Sequence, residues 1–417
     1  MQLKTILNRV ERHKSFVYGL VTLAEVDEET VLEVTIAARA NGRPVCSGCG
    51  QKGPGYDRQP ERRYQFVPLW NIAVFFLYAP RRVDCRDCGV TVERVPWAEG
   101  KSRLTTTFRW FLARWSKRLT WQHVAEAFGT SWDSVFRAVK MAVAWGLQRR
   151  SLDGIEAIGV DEIQWRKGHR YFTLVYQIQD TCKRLLHVAV DRTENSLREF
   201  FTLIGKARSA TLRFVCSDMW QPYLNIIGLK AEQAVHVLDR FHVMVKLNKA
   251  IDEVRAGEAR RMKQDGHEPL LKHSRWCLLK RPENLTGKQT AKLEELLKYN
   301  LQSVRAYLQR EDFQRFWEYQ SPTWAGKFLD EWCTRVMRSR LAPMKKMART
   351  LRNHKELILN WFRAKGTISA GVVEGLNYNV KLTMRKSYGF RQPEVLKTAL
   401  YHRLGALPER ESAHRFC

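Results

Sequence analysis

Acidic residues are scarce in this chain. Asp and Glu number 43 against 71 Lys and Arg, a formal net charge of +28, and such an excess of cations repels itself and attracts polyanions. Nucleic acid is therefore the first partner to consider, ahead of an acidic membrane surface or no particular partner. Apolar runs of bilayer length are also missing. The longest, "VPLWNIAVFFLYAP", falls short of the ~20 residues a spanning helix needs, runs into Arg81 and Arg82, and reads as a strand. The opening "MQLKTILNRVERHK" has no apolar core of signal-peptide length, so no export is expected. A disulfide framework is not expected of nine cysteines in a long, unsecreted chain, which points to a reducing cytosol. An aromatic content of 11% argues for a folded protein, not a basic disordered tail. At 417 residues, two to four domains are expected.

Four of the cysteines form a pattern. "CSGCG" holds Cys46 and Cys49, and "CRDCG" holds Cys85 and Cys88. Two thiolates three positions apart reach one tetrahedral ion from a tight turn, and the Gly that follows supplies the positive φ such a turn tends to need. Four thiolates close the coordination shell, so the expected ion is a structural Zn²⁺. Alternating and aromatic stretches between the pairs suit a β-hairpin.

From Leu104 the period becomes helical. Phe108, Phe111, Leu112, Trp115 and Leu119 share one face. Thr120 can cap a short helix that ends near Phe128, Gly129 breaks it, and Ser131 can cap a second helix. This is helix-turn-helix spacing. The second helix is expected to present Trp132, Asp133, Arg137 and Lys140 to a DNA groove, with Val135, Phe136, Val139 and Val143 packed inward. A plain helical hairpin is the alternative.

Beyond Asp153 the period changes to that of strands, about 156–165, 170–179 and 184–190, joined by short polar turns. A helix capped by Thr193 follows, then a strand ending at Asp218, a helix over about 219–227, and a strand ending at Asp239. This order, β-β-β-α-β-α-β, is that of a ribonuclease H-like fold, an antiparallel meander leading into parallel strands. Asp161 and Asp218 then lie on neighbouring strands. Two close carboxylates repel and are stable with a cation between them, and hard oxygen ligands select Mg²⁺ or Mn²⁺, two of which can serve phosphodiester chemistry.

Near the C-terminus "GVVEGLNYNVKLTMRKSYGFR" supplies a third carboxylate. On a helix, Glu374, Asn377, Lys381 and Arg385 fall on one face, an acid followed by polar and cationic side chains that can follow phosphates. Val373, Leu376, Val380 and Met384 form the adjacent apolar stripe. Gly371 and Gly375 are expected to allow close approach of another backbone. The helix-rich, basic segment before it keeps Leu293, Leu296, Leu297, Leu301, Val304 and Leu308 at helical spacing. It reads as an insertion that separates Glu374 from the other acids in sequence but not in space, with a separate helical domain as the alternative.

The expected organisation is a β-rich zinc-binding domain over 1–100, a helix-turn-helix over 101–150 and the first part of an α/β ribonuclease H-like core, a mixed sheet flanked by helices, over 151–250. A basic helical insertion over 251–365, the C-terminal helix of the core over 366–400 and a tail over 401–417 follow.

On "CSGCG", "CRDCG", "IGVDEIQWRKGHRY", "CSDMWQPY", "AVHVLDRFHVMVKLNKAIDEVR" and "GVVEGLNYNVKLTMRKSYGFR", the chain resembles insertion-sequence transposases of the ISL-three family over nearly its whole length. The resemblance implies a DDE transposase whose N-terminal regions recognise terminal inverted repeats in double-stranded DNA, with Asp161, Asp218 and Glu374 as the catalytic metal-binding triad. It further implies cleavage at the element ends, joining of 3′ hydroxyls to target DNA, a homodimer when two ends are synapsed, a cytoplasmic, nucleoid-associated location and no membrane. A nuclease or resolvase without strand transfer and a non-catalytic DNA-binding regulator are the rival readings.

Two acids stay open. Asp239 also ends a strand, and His236, Asp239 and His242 lie three apart, a possible metal face; support of the metal ligands, a DNA contact or helix capping by Asp239 is the other reading. Glu162, next to Asp161, is open to solvation at a strand end, a DNA-facing role, or pairing with Arg166 or Lys167.

Overall fold

The computed structural model describes residues 3–267, 269–364, 371–387 and 389–410. The chain divides into two compact units, 1–151 with 382–417, and 152–381. In the first, α1 (Leu3–Val10) precedes β1 (Phe16–Val26), β2 (Glu29–Ala38), β3 (Gly55–Arg58), β4 (Arg62–Leu69), β5 (Ile72–Tyr78), β6 (Arg81–Cys85) and β7 (Gly89–Val92). Strands β1-β2-β5-β4 make one sheet and β3-β6-β7 a small second one. Val74, Phe76 and Tyr78 of β5 are buried, the alternate residues that a half-buried strand turns inward. Buried Trp97 meets the rings of Phe16, Tyr64 and Tyr78 edge-on. The expected hairpin between the cysteine pairs is β4–β5, but it joins the larger sheet, and β3 and β6 are what bring the knuckles together.

Helices α2 (Thr106–Trp115), α3 (Trp121–Ala127) and α4 (Trp132–Arg149) follow. Thr105, Thr120 and Ser131 cap them, each hydroxyl accepting from a backbone N–H three residues on. Gly129 takes φ 57° in the turn between α3 and α4. Val135, Val139 and Val143 are buried, Phe136 is half-buried, and Trp132, Asp133, Arg137 and Lys140 are exposed.

The second unit opens with β8 (Ala157–Arg166), β9 (Arg170–Gln179) and β10 (Cys182–Val190), then α5 (Glu194–Ala210), β11 (Phe214–Ser217), α6 (Gln221–Lys230) and β12 (Val235–Leu238). The sheet order is β10-β9-β8-β11-β12. β8, β9 and β10 pair antiparallel, while β8–β11 and β11–β12 are parallel. The expected meander leading into parallel strands is thus present, in a mixed sheet flanked by helices. Phe172, Leu174, Val175 and Tyr176 of β9 are all fully buried, so both faces of the sheet are covered, each side chain stabilising the fold by about 1.5–3 kcal/mol.

The segment after Asp239 is helical: α7 (Arg240–Gln264), α8 (Arg275–Leu279), α9 (Gly287–Leu297), α10 (Gln302–Gln314), α11 (Pro322–Met337), α12 (Ala342–Asn353) and α13 (Lys355–Arg363). Its core of Phe313, Phe316, Trp317 and Trp332 runs on without a break into Met219, Leu224 and Leu238 beside the sheet. Asn360 of α13 donates to the carbonyl of His236, satisfying an acceptor on the edge strand β12. These helices therefore share apolar core with residues beside the sheet. The leucine spacing over 293–308 does not form one helix. It breaks between α9 and α10, leaving Leu297 and Leu308 exposed, because the buried Glu258 carboxylate accepts from the N–H groups of Gln302 and Ser303 and starts α10 there.

Helix α14 (Gly371–Lys386) and α15 (Pro393–Leu404) end the chain. The expected core helix over 366–400 is therefore two helices, α15 crosses the expected tail boundary, and 366–370 and 411–417 lie outside the described residues. Residues after 381 belong to the first unit. Leu396 and Leu400 of α15 are buried, and Gly146 of α4 leaves the room Leu407 occupies, since a Cβ there would meet that side chain at 2.7 Å.

Candidate functional sites

The four thiols converge. Cys46, Cys49, Cys85 and Cys88 place their sulfurs within 4.8 Å of one another, and Gly50 and Gly89 after the knuckles take φ 78° and 68°, the conformation anticipated for them. The Thr91 hydroxyl, 3.2 Å from the Cys46 sulfur, and the Cys49 backbone N–H draw that thiol below its usual range. Four thiols in tetrahedral reach of one point fit a closed structural metal site.

The acids gather at one end of the second unit's sheet. Asp161 and Glu162 are consecutive on β8 and point to opposite faces, with different company. Asp161 accepts from the Glu162 N–H at 2.7 Å and from the Asn377 side-chain amide, while the Tyr176 hydroxyl donates to the Asn377 carbonyl oxygen at 2.8 Å. His242 Nε2 stands 3.9 Å from Asp161, and its Nδ1 is 3.1 Å from Asp239. Burial raises the Asp161 carboxyl above its usual range, the His242 charge and hydrogen bonds opposing it and the Asp239 charge adding to it. Glu374 is raised by burial and by the charges of Asp239 and Asp161. Burial alone would lower His242, yet its bond to Asp239 and the charges of Asp161 and Asp218 hold it at about 9, a cation among the carboxylates.

Glu162 faces Arg192 instead, 2.6 Å away, and that guanidinium also reaches Asp218 at 3.3 Å while lying over the Trp220 ring. Pairing with Arg166 or Lys167, as sequence proximity suggested, is replaced by this contact from the turn after β10. Burial, then the charges of Asp218 and Asp161, push Glu162 up to about 7 against the pull of Arg192. Asp218 also accepts the Trp220 N–H. Asp161 and Glu374 thus share the charges of Asp239 and His242, and Asp218, whose charge also reaches His242, is joined through Arg192 to Glu162. Among the described residues these acids do not form a group within 4.8 Å, as the cysteines do.

Helix α14 reaches Asp161 through a glycine on the strand, where the sequence pointed to Gly371 and Gly375 on the helix. Gly375 faces open space, whereas a Cβ on Gly159 of β8 would meet Val373 at 2.5 Å. The apolar run "IGVDE" needs its glycine there for the helix to lie close. Val373, Asn377 and Val380 are the buried face of α14, and Glu374, Lys381 and Arg385 are exposed. Asn377, read from the sequence as a phosphate contact, is turned inward because Asp161 and Tyr176 satisfy its amide there. Asp239 caps α7, accepting from the Phe241 N–H at 2.9 Å, so its capping role is realised next to His242. Tyr176 and Arg192 were not legible as site residues, because their partners Asn377 and Glu162 lie far along the chain and no local pattern reports either contact.

Residues 158–400 match the ISL-three DDE family model, described as transposase. The chain is 29% identical over 353 residues to the transposase for insertion sequence element IS1001 of Bordetella parapertussis, covering 84% of this chain and 86% of that one. It is 27% identical over 420 residues to the transposase for insertion sequence element IS1557 of Mycobacterium tuberculosis, covering 90% and 92%. No described helix is long and apolar enough to cross a membrane.

Proposed function

The chain belongs to the ISL-three family of transposases, and we propose that it binds the terminal inverted repeats of an insertion sequence, cleaves there and joins the freed 3′ hydroxyls to target DNA. The observation that carries the site is the register of β8 and β11. Gly159 pairs with Cys216 in parallel, and this register continued by two residues would bring Asp161 level with Asp218, which supports a ribonuclease H-like arrangement of the acids. With Glu374 on the helix packed against Gly159, these are the three carboxylates proposed to act.

Their chemistry fits a hard divalent cation: oxygen donors, mutually repelling, with Asp161 and Glu374 raised by burial and by neighbouring negative charge. Two Mg²⁺ or Mn²⁺ ions, when bound, supply activation of the attacking oxygen and stabilisation of the leaving 3′ oxygen. The chain's own residues orient these acids. The Tyr176–Asn377 pair aims Asp161, Arg192 restrains Asp218 and Glu162, and Asp239 holds His242 against Asp161. Exposed Lys381 and Arg385 on α14 and Lys140 and Arg137 on α4 supply phosphate contacts, although Arg137 is also paired with Asp133 at 2.7 Å. The cysteine site takes Zn²⁺ and keeps the small sheet folded, α3 and α4 act as a helix-turn-helix on the repeats, and two copies hold two ends.

Cleavage and joining of a labelled end fragment with Mg²⁺ test this. Asp161→Asn, Asp218→Asn and Glu374→Gln are each expected to lose at least about a hundredfold in cleavage rate. Undiminished cleavage in any one removes that residue from the triad. Cleaved ends that never join indicate a nuclease, and specific binding without cleavage indicates a regulator. One observation favours a second assignment: Asp239, not Asp218, shares His242 with Asp161. Asp239→Asn decides between them, since a ligand loses cleavage and its response to Mg²⁺ concentration, whereas a helix cap loses stability alone.

A further inference from the structure

Within the first unit, α3, α4, the end of α14 and the residues after it line an open cavity of about 660 Å³. Aromatic rings line it. Trp132 stacks on Phe136 with centroids 5.5 Å apart and planes at 21°, Trp121 meets both at 5.6 Å, and Phe390 approaches Trp121 edge-on at 6.4 Å. Trp132 keeps 40% of its surface exposed, an apolar face that packing among the described residues leaves open. The cations on the lining, Lys386 and Arg391, are exposed. Asp133, the one carboxylate among the described lining residues, is ion-paired with Arg137 at 2.7 Å, so the local balance favours an anion.

A planar π surface combined with free positive charge matches a base joined to a phosphate, and such platforms bind single strands because each base offers a face. Paired bases expose only their edges to a groove, and a pocket of this volume suits a small ligand, not a double helix. We propose that this cavity holds one unpaired nucleotide of the DNA the protein acts on, stacked on the Trp132–Phe136 wall with its phosphate toward Lys386 and Arg391. The proposal rests on the reading of the chain as a DNA transposase, but it concerns a site separate from the carboxylates and can be tested without cleavage.

The test uses the full chain and two forms of one duplex, blunt and with a three-nucleotide single-stranded 3′ extension carrying 2-aminopurine. Stacking of one base corresponds to about a tenfold lower Kd for the extended form, and the aminopurine emission should be quenched on binding. Phe390→Ala, which opens the far wall, and Arg391→Glu are each expected to abolish the preference and the quenching while the blunt-duplex Kd stays within about twofold. Equal affinity for the two forms, or quenching that survives both substitutions, overturns the proposal. Cleavage without any preference for the extension refutes the cavity alone. Preference without cleavage keeps the cavity and refutes the catalytic reading.

Discussion

At the residue scale the informative side chain is Asn377. One amide connects a fully buried tyrosine hydroxyl to Asp161, and its orientation is fixed because the Tyr176 hydroxyl donates to it and Asp161 accepts from it. Replacing such a partner of a carboxylate that holds a metal, as proposed for Asp161, typically costs 10–100-fold in activity or metal affinity. Asn377→Leu is therefore expected to lower the cleavage rate by about that factor, to raise the Mg²⁺ concentration needed, and to leave the Kd for DNA unchanged. A weakened Kd with a normal metal response would restore the phosphate-contact role expected from the sequence. Asn377→Asp sets a like charge against Asp161 and should be worse than Leu. Glu162 belongs to the same scale: parity along β8 was legible and separates it from Asp161, but its partner Arg192 lies beyond two further strands, where no local pattern reports it.

At the scale of elements, two ties hold pieces together by polar contact instead of apolar area. Glu258 caps α10 from α7 with both carboxylate oxygens. Removing it leaves buried donors unpaired, which costs about 1–3 kcal/mol. Glu258→Ala should lower the urea midpoint of unfolding accordingly, whereas a surface substitution such as Glu294→Ala should not. The cysteine site, with the metal proposed for it, is the second tie. β3, β6 and β7 bury little beyond Cys46, Val83 and Cys85, too small a core to stand alone. Chelation, or Cys49→Ser, is expected to release about one Zn²⁺ per chain and to open the segment around residues 46–92 to proteolysis while the second unit stays resistant. Resistance of that segment without metal would show that the sheet needs no ion. Here the sequence was a good guide: the spacing of the cysteines and the glycines after them are local requirements, whereas the break between α9 and α10 depended on a carboxylate more than 40 residues away.

At the scale of the whole molecule, charge and buried histidine set the conditions of use. A net charge of +28 means that DNA binding releases many counterions, so log Kd should rise steeply and linearly with log salt; a flat response would argue against a phosphate-led interface. Stability should depend on pH through His402. Burial first, with the Lys117 charge adding to it, lowers this imidazole to about 4. It stays neutral in the folded chain where the unfolded one takes up a proton. Its contribution is thus fully present above pH 6.5 and is lost as pH falls toward 4, by roughly 3 kcal/mol. His402→Gln should flatten the decline of the unfolding midpoint between those values.

The sequence by itself determined whatever depends on neighbours along the chain. It showed the knuckles and their positive-φ glycines, the capped helices α2 to α4, the strand order of the mixed sheet and the family, because period, capping and turn chemistry act over a few residues. The tertiary structure alone decided which partners each acid has. It turned Asn377 inward, gave Glu162 and Asp218 a common guanidinium, set Asp239 and His242 beside Asp161, and joined residues 382–410 to the first unit. Those contacts link positions tens to hundreds of residues apart. They follow from which surfaces bury together, here through single glycines such as Gly159 and Gly146 that let a helix or loop come close, and only the folded arrangement specifies that.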